Sequence, residues 1–293
     1  MSTVIRFSPD LSSWISDNLN QGCAPAALIQ VMQEQQMEAE AAQAIMHAFV
    51  SARRNGGAVP VDQVIVDENS LDYQYQTPIF RPGTEITTSD RLVRIAARAE
   101  RPMLAVLNNV FSGEECQQLI ALAKPRLKES TIVDPMTGKD VVSGQRTSFG
   151  MFFQLQENPF IASLDKRISE IMNLPLENGE GLQILYYPTG AGSTPHFDFL
   201  VPSNPANQAS LARSGQRVST LVTYLNEVEG GGQTVFPEAG WAVSPLRGNA
   251  VYFEYANSLN QIDHASLHAS DPVTKGEKWV ATKWMRQRRF VSA

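Results

Sequence analysis

A histidine and an aspartate stand two positions apart in residues 194–199, TPHFDF. Side chains alternate between the two faces of a β-strand, so His196 and Asp198 would share a face and could bind one ion. Imidazole nitrogen combined with carboxylate oxygen suits Fe(II), and two histidines with one carboxylate leave coordination positions open for chemistry. A single triplet of this kind often arises by chance, so the pair alone indicates a metal site only weakly.

A third ligand has to come from a distant part of the chain, which contains four histidines in all. His47 falls in a helical pattern and is interpreted as a structural or surface residue. His264 and His268 remain, and the residues that follow favour His268. A turn predicted after it would return a strand carrying Lys278 toward the metal, where an ammonium could hold the far carboxylate of a dicarboxylic cosubstrate. His264 stays the alternative.

Several pieces of sequence, in their order along the chain, resemble the prolyl 4-hydroxylase branch of the 2-oxoglutarate/Fe(II)-dependent dioxygenases. The resemblance spans roughly residues 101–290. It is specific, because each piece would have to arise by chance separately. Besides the triplet above, the pieces are RTSFGMF (146–152), LQILYY (182–187), TYLNEVE (223–229), GGQTVFP (231–237), GNAV (248–251) and the segment 268–284.

The resemblance implies that His196, Asp198 and His268 bind iron. It implies further that Lys278 pairs with the distal carboxylate of 2-oxoglutarate. Tyr187, nine residues before His196, matches a family tyrosine that hydrogen-bonds the same carboxylate.

Five other residues are weaker candidates for the site. Thr234 and Thr282 could contact the cosubstrate, although strand propensity explains a threonine at either position. Arg146 precedes a stretch that lies near the peptide groove in related enzymes, and the alternative is a surface or ion-pair arginine. Trp241 and Trp284 could line the substrate pocket, whereas aromatic residues in a β-rich core more often serve packing.

The family implies Fe(II) as cofactor, 2-oxoglutarate and O2 as cosubstrates, and ascorbate as reductant. The expected reaction is hydroxylation of a C–H bond with release of succinate and CO2. The branch favours a prolyl residue of a peptide or protein as substrate; the alternative is a free amino acid or another small metabolite. Residues 202–208, PSNPANQ, are rich in turn formers and predict a mobile loop that could close over the substrate.

Two rival classes of protein share the predicted fold. A catalytically silent jelly-roll binding module would have no physical need for an intact iron site. A cupin-like enzyme that uses no oxo acid would leave Lys278 unexplained.

The N-terminal part of the chain is predicted to be helical. Residues 1–57 carry three helical patterns, of which Asp10 could cap the first, and a pair of glycines ends the third. Residues 58–100 mix proline, glycine and acidic residues with one β-branched run at 64–66, and this composition predicts a connector with one strand.

Residues 101–293 are predicted to form the catalytic domain. Ser112 and Glu115 form a capping box that should begin a helix. Short runs of valine, isoleucine, threonine and aromatic residues then recur between turn formers, which favours a sandwich or jelly roll. With the resemblance, the expected fold is α+β: a double-stranded β-helix (jelly-roll) oxygenase core with flanking helices and a small helical N-terminal region.

Composition limits the partners of the chain. Its 293 residues can bury a full core, and its formal net charge of −6 argues against a nucleic-acid partner. No apolar run approaches the ~20 residues that cross a bilayer, and the first residues lack a leader pattern, so the sequence predicts a cytoplasmic protein without a membrane partner. Cys23 and Cys116 form neither a disulfide framework nor a thiolate metal site.

Overall fold

The chain folds into two compact units, Met1–Gln74 and Tyr75–Ala293, each with its own hydrophobic core. The computed structural model describes residues 2–23, 25–54, 58–67, 73, 75–129, 131–133, 140–142, 148–202, 204–258 and 261–292. The domain boundaries at residues 57 and 100 stay predictions. The segment between them contributes one strand to the first unit and two to the second.

The first unit combines three helices with a two-stranded antiparallel sheet. Ile15, Ile45 and Phe49 are completely buried in its core. Its elements in chain order are β1 (Ser2–Arg6), α1 (Pro9–Asn20), α2 (Pro25–Glu34), α3 (Ala39–Arg54) and β2 (Gln63–Asp67).

The helical patterns of the N-terminal region correspond to α1, α2 and α3, but two details of the prediction are wrong. The region also contains β1, which the sequence does not reveal because the strand that it pairs with, β2, is distant along the chain. Ser8, and not Asp10, caps α1: the Ser8 hydroxyl accepts a hydrogen bond from the backbone N–H of Leu11 at 3.2 Å.

The second unit contains most of the strands. Its elements in chain order are β3 (Glu85–Thr87), β4 (Leu92–Glu100), β5 (Met103–Asn108), α4 (Gly113–Ala123), β6 (Lys128–Glu129), β7 (Thr131–Val133), β8 (Asp140–Val142), β9 (Phe149–Phe153), α5 (Pro159–Met172), β10 (Leu182–Tyr187), β11 (Ser193–His196), α6 (Pro205–Ser214), β12 (Arg217–Tyr224), β13 (Gly230–Gly231), β14 (Thr234–Phe236), β15 (Trp241–Val243), β16 (Ala250–Glu254), β17 (His268–Ser270), β18 (Val273–Lys275) and β19 (Lys278–Arg286).

Two antiparallel sheets face each other in this unit. The major sheet has nine strands in the order β3-β4-β5-β16-β12-β19-β10-β9-β6, and the minor sheet has four in the order β11-β17-β14-β15. Phe236 of the minor sheet packs against Phe253 of the major sheet, with ring centroids 5.1 Å apart. The predicted jelly-roll core with flanking helices is therefore confirmed.

Strand β19 lies at the centre of the major sheet, and all nine of its residues are buried. Successive side chains of β19 point to opposite faces of the sheet. Lys278 and Trp284 line a cavity between the two sheets, whereas Lys283 reaches Asp165 of α5, at 2.7 Å, on the opposite face. The buried residues of α5 recur at helical spacing, and among them are Ile161, Leu164, Ile168 and Ile171.

Two local predictions have different outcomes. The capping box of Ser112 and Glu115 is present at the start of α4. The loop predicted for residues 202–208 is wrong in part, because α6 begins at Pro205. Asn204 caps this helix by accepting from the backbone N–H of Asn207 at 2.9 Å, and a capping residue followed by proline is a helix-start signal as well as a turn signal.

Among the described residues, no helix has the length and apolar character needed to span a bilayer.

Candidate metal centre

Three side chains converge at one end of the cavity between the sheets. His196 ends β11, His268 begins β17, and the two histidines are register partners across these neighbouring strands. Asp198 follows β11 by two residues. One potential ligand atom from each of the three lies within 4.8 Å of the other two, so together they could hold a single ion.

The hydrogen bonds of the two histidines fix which ring nitrogen faces the cluster. Nδ1 of His196 lies 2.8 Å from the carbonyl oxygen of Thr194, and Nδ1 of His268 lies 3.0 Å from that of Ser266. A carbonyl can only accept, so each Nδ1 carries a proton, and in the neutral imidazole Nε2 is then the nitrogen with the free lone pair. The backbone thus holds both imidazoles in the form that binds a metal.

The spacing within the cluster suits an ion. Nε2 of His196 lies 3.9 Å from Asp198 Oδ1, and Nε2 of His268 lies 3.7 Å from Asp198 Oδ2. These separations are too long for direct hydrogen bonds, which leaves the lone pairs of all three groups facing a common point. Two imidazoles and one carboxylate match the donor set of non-haem Fe(II) sites with open positions.

Asp198 is buried, and hydrogen bonds reach both its carboxylate and its backbone. The Thr220 hydroxyl donates to Oδ2 at 2.7 Å, and Arg217 donates to the backbone carbonyl of Asp198 at 3.2 Å. Burial alone would raise the pKa of Asp198, but the positive charge that His268 and His196 carry when protonated, the charge of Arg217 and the Thr220 hydrogen bond lower it to about 2. The carboxylate is therefore ionised and ready to bind a cation.

Lys278 lies at the other end of the same cavity and is only 2% exposed. Its ammonium donates to the Ser270 hydroxyl at 2.8 Å and lies 5.4 Å from the ring centroid of Tyr187 and 5.8 Å from that of Tyr224. Burial lowers the pKa of Lys278 to about 7, against a smaller opposing effect of Asp271. A carboxylate entering the cavity would meet this cation.

The other predicted cosubstrate residues also line this cavity. Tyr187 is the register partner of Lys278 across β10 and β19. The Thr234 hydroxyl accepts a hydrogen bond from the Tyr224 hydroxyl at 2.9 Å. Thr282 follows Lys278 in β19 by two strand repeats and lines the cavity from the same face. The structure thus brings Tyr187, Thr234 and Thr282 to one place.

The three predicted substrate residues have separate outcomes. Trp284 lines the cavity beneath the guanidinium of Arg217, which lies 4.1 Å from its ring centroid. Trp241 does not line it: β15 is the far edge of the minor sheet, two strands from β17, and the tryptophan lines a second cavity with Val106 and Leu246. Arg146 lies outside the described residues.

His264 takes no part in the cluster. It belongs to a 3-10 turn before β17, and its ring packs edge-on against Phe197 and Phe199 at 5.3 and 5.9 Å between centroids. Among the described residues, the group that could hold an ion consists of His196, Asp198 and His268 and does not include His264.

Sequence reasoning missed four residues of the site: Thr220, Arg217, Ser270 and Tyr224. Ser270 is predictable from the sequence, because it follows His268 by two positions in a strand and must share its face. The others contact the site across strands that only the folded sheets bring together.

The family model and the similar proteins indicate the same family. Residues 182–286 match the model of the 2OG-Fe(II) oxygenase superfamily. The chain is 35% identical over 241 residues to probable prolyl 4-hydroxylase 10 of Arabidopsis thaliana, covering 76% of this chain and 81% of that protein. It is 42% identical over 202 residues to prolyl 4-hydroxylase 1 of the same plant, covering 64% and 70%.

A similar solved structure is the 2OG complex of a viral collagen prolyl hydroxylase from Paramecium Bursaria Chlorella virus-1. The sequence identity is 26% and the TM-score is 0.49, with 62% of this chain and 95% of that chain covered.

Proposed function

Because the chain belongs to the prolyl 4-hydroxylase branch of the 2OG-Fe(II) oxygenase superfamily, we propose that it hydroxylates a prolyl residue of a peptide or protein. The cosubstrates are 2-oxoglutarate and O2, and the products besides the hydroxylated substrate are succinate and CO2. One observation carries the proposal: the cluster of His196, Asp198 and His268 shares its cavity with the buried ammonium of Lys278.

In this proposal, the Nε2 atoms of His196 and His268 and one carboxylate oxygen of Asp198 hold Fe(II). Bound Fe(II) supplies open coordination positions and the redox chemistry that couples decarboxylation of the 2-oxo acid to hydroxylation of a C–H bond. The protein orients the three ligands, because backbone carbonyls hold both imidazoles and Thr220 holds the carboxylate.

Lys278 binds the distal carboxylate of 2-oxoglutarate, and Tyr187 and Thr234 contact the same end of it. Burial makes this ion pair strong, since water does not compete for the ammonium. The cosubstrate is thereby held with its oxo acid end toward the metal ligands. A 2-oxo acid without a distal carboxylate would lack this contact.

Trp284 is proposed as a substrate contact at the metal end of the cavity. Its indole N–H is buried and has no hydrogen-bond partner among the described residues, and a buried donor of this kind requires an acceptor. A peptide carbonyl would provide one. The ring also offers a flat apolar surface on which a proline ring can pack.

Ascorbate is proposed as the reductant that keeps the iron in its Fe(II) form between turnovers. Its omission should shorten the period of activity without changing the initial rate.

The test is a turnover assay of the full chain with Fe(II), 2-oxoglutarate, ascorbate and a panel of proline-containing peptides. We expect one oxygen atom added to a proline and one succinate formed for each. Matched peptides with alanine in place of that proline should gain no oxygen. Oxygen added to a free amino acid or small metabolite, and to none of the peptides, would overturn the substrate assignment; no succinate with any substrate would overturn the enzyme assignment.

A further inference from the structure

The buried ammonium of Lys278 has one hydrogen-bond acceptor among the described residues, the hydroxyl of Ser270. An ammonium carries three N–H donors, so two remain for a ligand in the cavity that both residues line. Both residues lie in strands, since Lys278 begins β19 and Ser270 ends β17.

The Ser270 hydroxyl is able to donate as well as accept. It accepts from Lys278 at 2.8 Å, and within the described part of the chain its own proton has a single long contact of 3.5 Å, to the backbone carbonyl of Asp271. A hydroxyl that accepts from a cation becomes a better donor, because the cation polarises it. Its proton is thus available to a carboxylate that the ammonium attracts.

Ser270 is also placed at a defined distance from the metal ligands. It follows His268 by two residues in β17, and the strand repeat puts the two side chains on one face, roughly 6.6 Å apart along the strand. Its register partners in the neighbouring strands are Ser193 and Thr234. The backbone N–H of Ser270 donates to the Ser193 hydroxyl at 3.1 Å, which fixes the strand that carries it.

We propose that Ser270 is a cosubstrate-positioning residue, which forms with Lys278 a two-point clamp for the distal carboxylate of a 2-oxo dicarboxylic acid. The ammonium supplies the charge, and the hydroxyl supplies a second, directional hydrogen bond one strand repeat from the metal ligands. This inference rests on the proposed function, since it concerns the same cavity.

The experiment measures binding, not turnover. The full chain is loaded with Fe(II) under nitrogen, and its affinities for 2-oxoglutarate and for oxalate are determined by calorimetry. Oxalate can chelate the metal but has no distal carboxylate. We expect Ser270→Ala to weaken 2-oxoglutarate binding about tenfold or more, as for a lost hydrogen bond to a charged group, and to leave oxalate binding unchanged.

Two further variants separate positioning from structure. Ser270→Thr keeps the hydroxyl and should restore most of the affinity for 2-oxoglutarate. Ser219→Ala removes the hydroxyl of a buried serine on the face of β12 opposite Thr220 and should change neither affinity.

Equal 2-oxoglutarate affinity in the wild type and Ser270→Ala would overturn the inference, and so would an equal loss for both ligands, which would indicate a disturbed metal end. Both results require that the wild type binds 2-oxoglutarate. Failure of the wild type to bind it would contradict the proposed function instead.

Discussion

Each ligand of the proposed iron site is oriented by a group that does not touch the metal position. Backbone carbonyls orient the two imidazoles, and the Thr220 hydroxyl orients Asp198. Such supporting contacts determine metal affinity because they remove the cost of ordering the ligands. The triad itself could be predicted from residue spacing and family resemblance. Thr220 could not, because nothing in its sequence surroundings marks which strand lies behind Asp198.

Removal of the Thr220 hydroxyl should therefore weaken metal binding. We expect Thr220→Val to reduce the affinity for Fe(II) by roughly 10–100-fold, the usual effect of losing such a supporting contact. Thr223→Val is the matched control, since Thr223 is a buried threonine on the opposite face of the same strand. Anaerobic Fe(II) titration measures both. Equal affinities in Thr220→Val and the wild type would show that the hydroxyl does not orient the carboxylate.

Lys278 should make cosubstrate binding depend on pH. With its pKa lowered to about 7 by burial, the ammonium is charged below that pH and loses its proton above it in the empty site. A bound carboxylate favours the charged form, so binding above pH 7 takes up a proton. We expect the affinity for 2-oxoglutarate to fall by up to about tenfold per pH unit above this point and to level off below it.

Calorimetry in buffers of different ionisation enthalpy would reveal the proton uptake. In Lys278→Arg the guanidinium stays charged, so any remaining affinity should lose this pH dependence. An affinity in the wild type that stays constant across neutral pH, with no proton uptake, would show that the lysine is already charged throughout.

At the scale of elements, a buried ion pair joins α5 to the major sheet. Lys283 of β19 and Asp165 of α5 are 2% and 0% exposed, and their charged atoms lie 2.7 Å apart. Asp165 also accepts from the backbone N–H of Gln156 at 2.8 Å. A buried charge that loses its partner is costly, whereas removal of both charges is often tolerated.

We expect Lys283→Met to lower the free energy of unfolding of this unit by about 3–5 kcal/mol. Adding Asp165→Asn should recover much of the loss, because the amide is neutral and still accepts from Gln156. Urea unfolding followed by tryptophan fluorescence compares the variants. A double variant no more stable than Lys283→Met would mean that packing around the lysine, and not charge, dominates.

The elements also show where sequence patterns suffice. The helices of the first unit and α4 follow from apolar spacing and capping residues, which are local signals. Strand β1 and the start of α6 were missed for different reasons. The first is defined by pairing with a distant strand, and the second begins with an asparagine and a proline that fit a turn equally well.

At the scale of the whole molecule, the proposed site lies entirely within the unit Tyr75–Ala293, which has its own core. A protein consisting of residues 75–293 should therefore bind Fe(II) and 2-oxoglutarate as tightly as the full chain, within about threefold. Calorimetry on both proteins tests this. If the shortened protein folds but binds neither Fe(II) nor 2-oxoglutarate, the first unit is needed for the site.

Composition and family resemblance predicted the fold class and the chemistry because both depend on patterns that run through the whole catalytic domain. The structure divides the chain between Gln74 and Tyr75, inside the segment 58–100 that the sequence predicts as a connector. The cytoplasmic location stays a prediction.

The proposed iron site is tested most directly by comparing two histidines that lie four positions apart in the sequence. His268 belongs to the ligand cluster, whereas His264 packs against phenylalanines outside it. Wild-type protein, His264→Ala and His268→Ala are titrated with Fe(II) and then with 2-oxoglutarate under nitrogen. We predict one Fe(II) bound per chain and tight 2-oxoglutarate binding in the first two proteins, and loss of both in His268→Ala. Iron binding retained in His268→Ala and lost in His264→Ala would contradict the account.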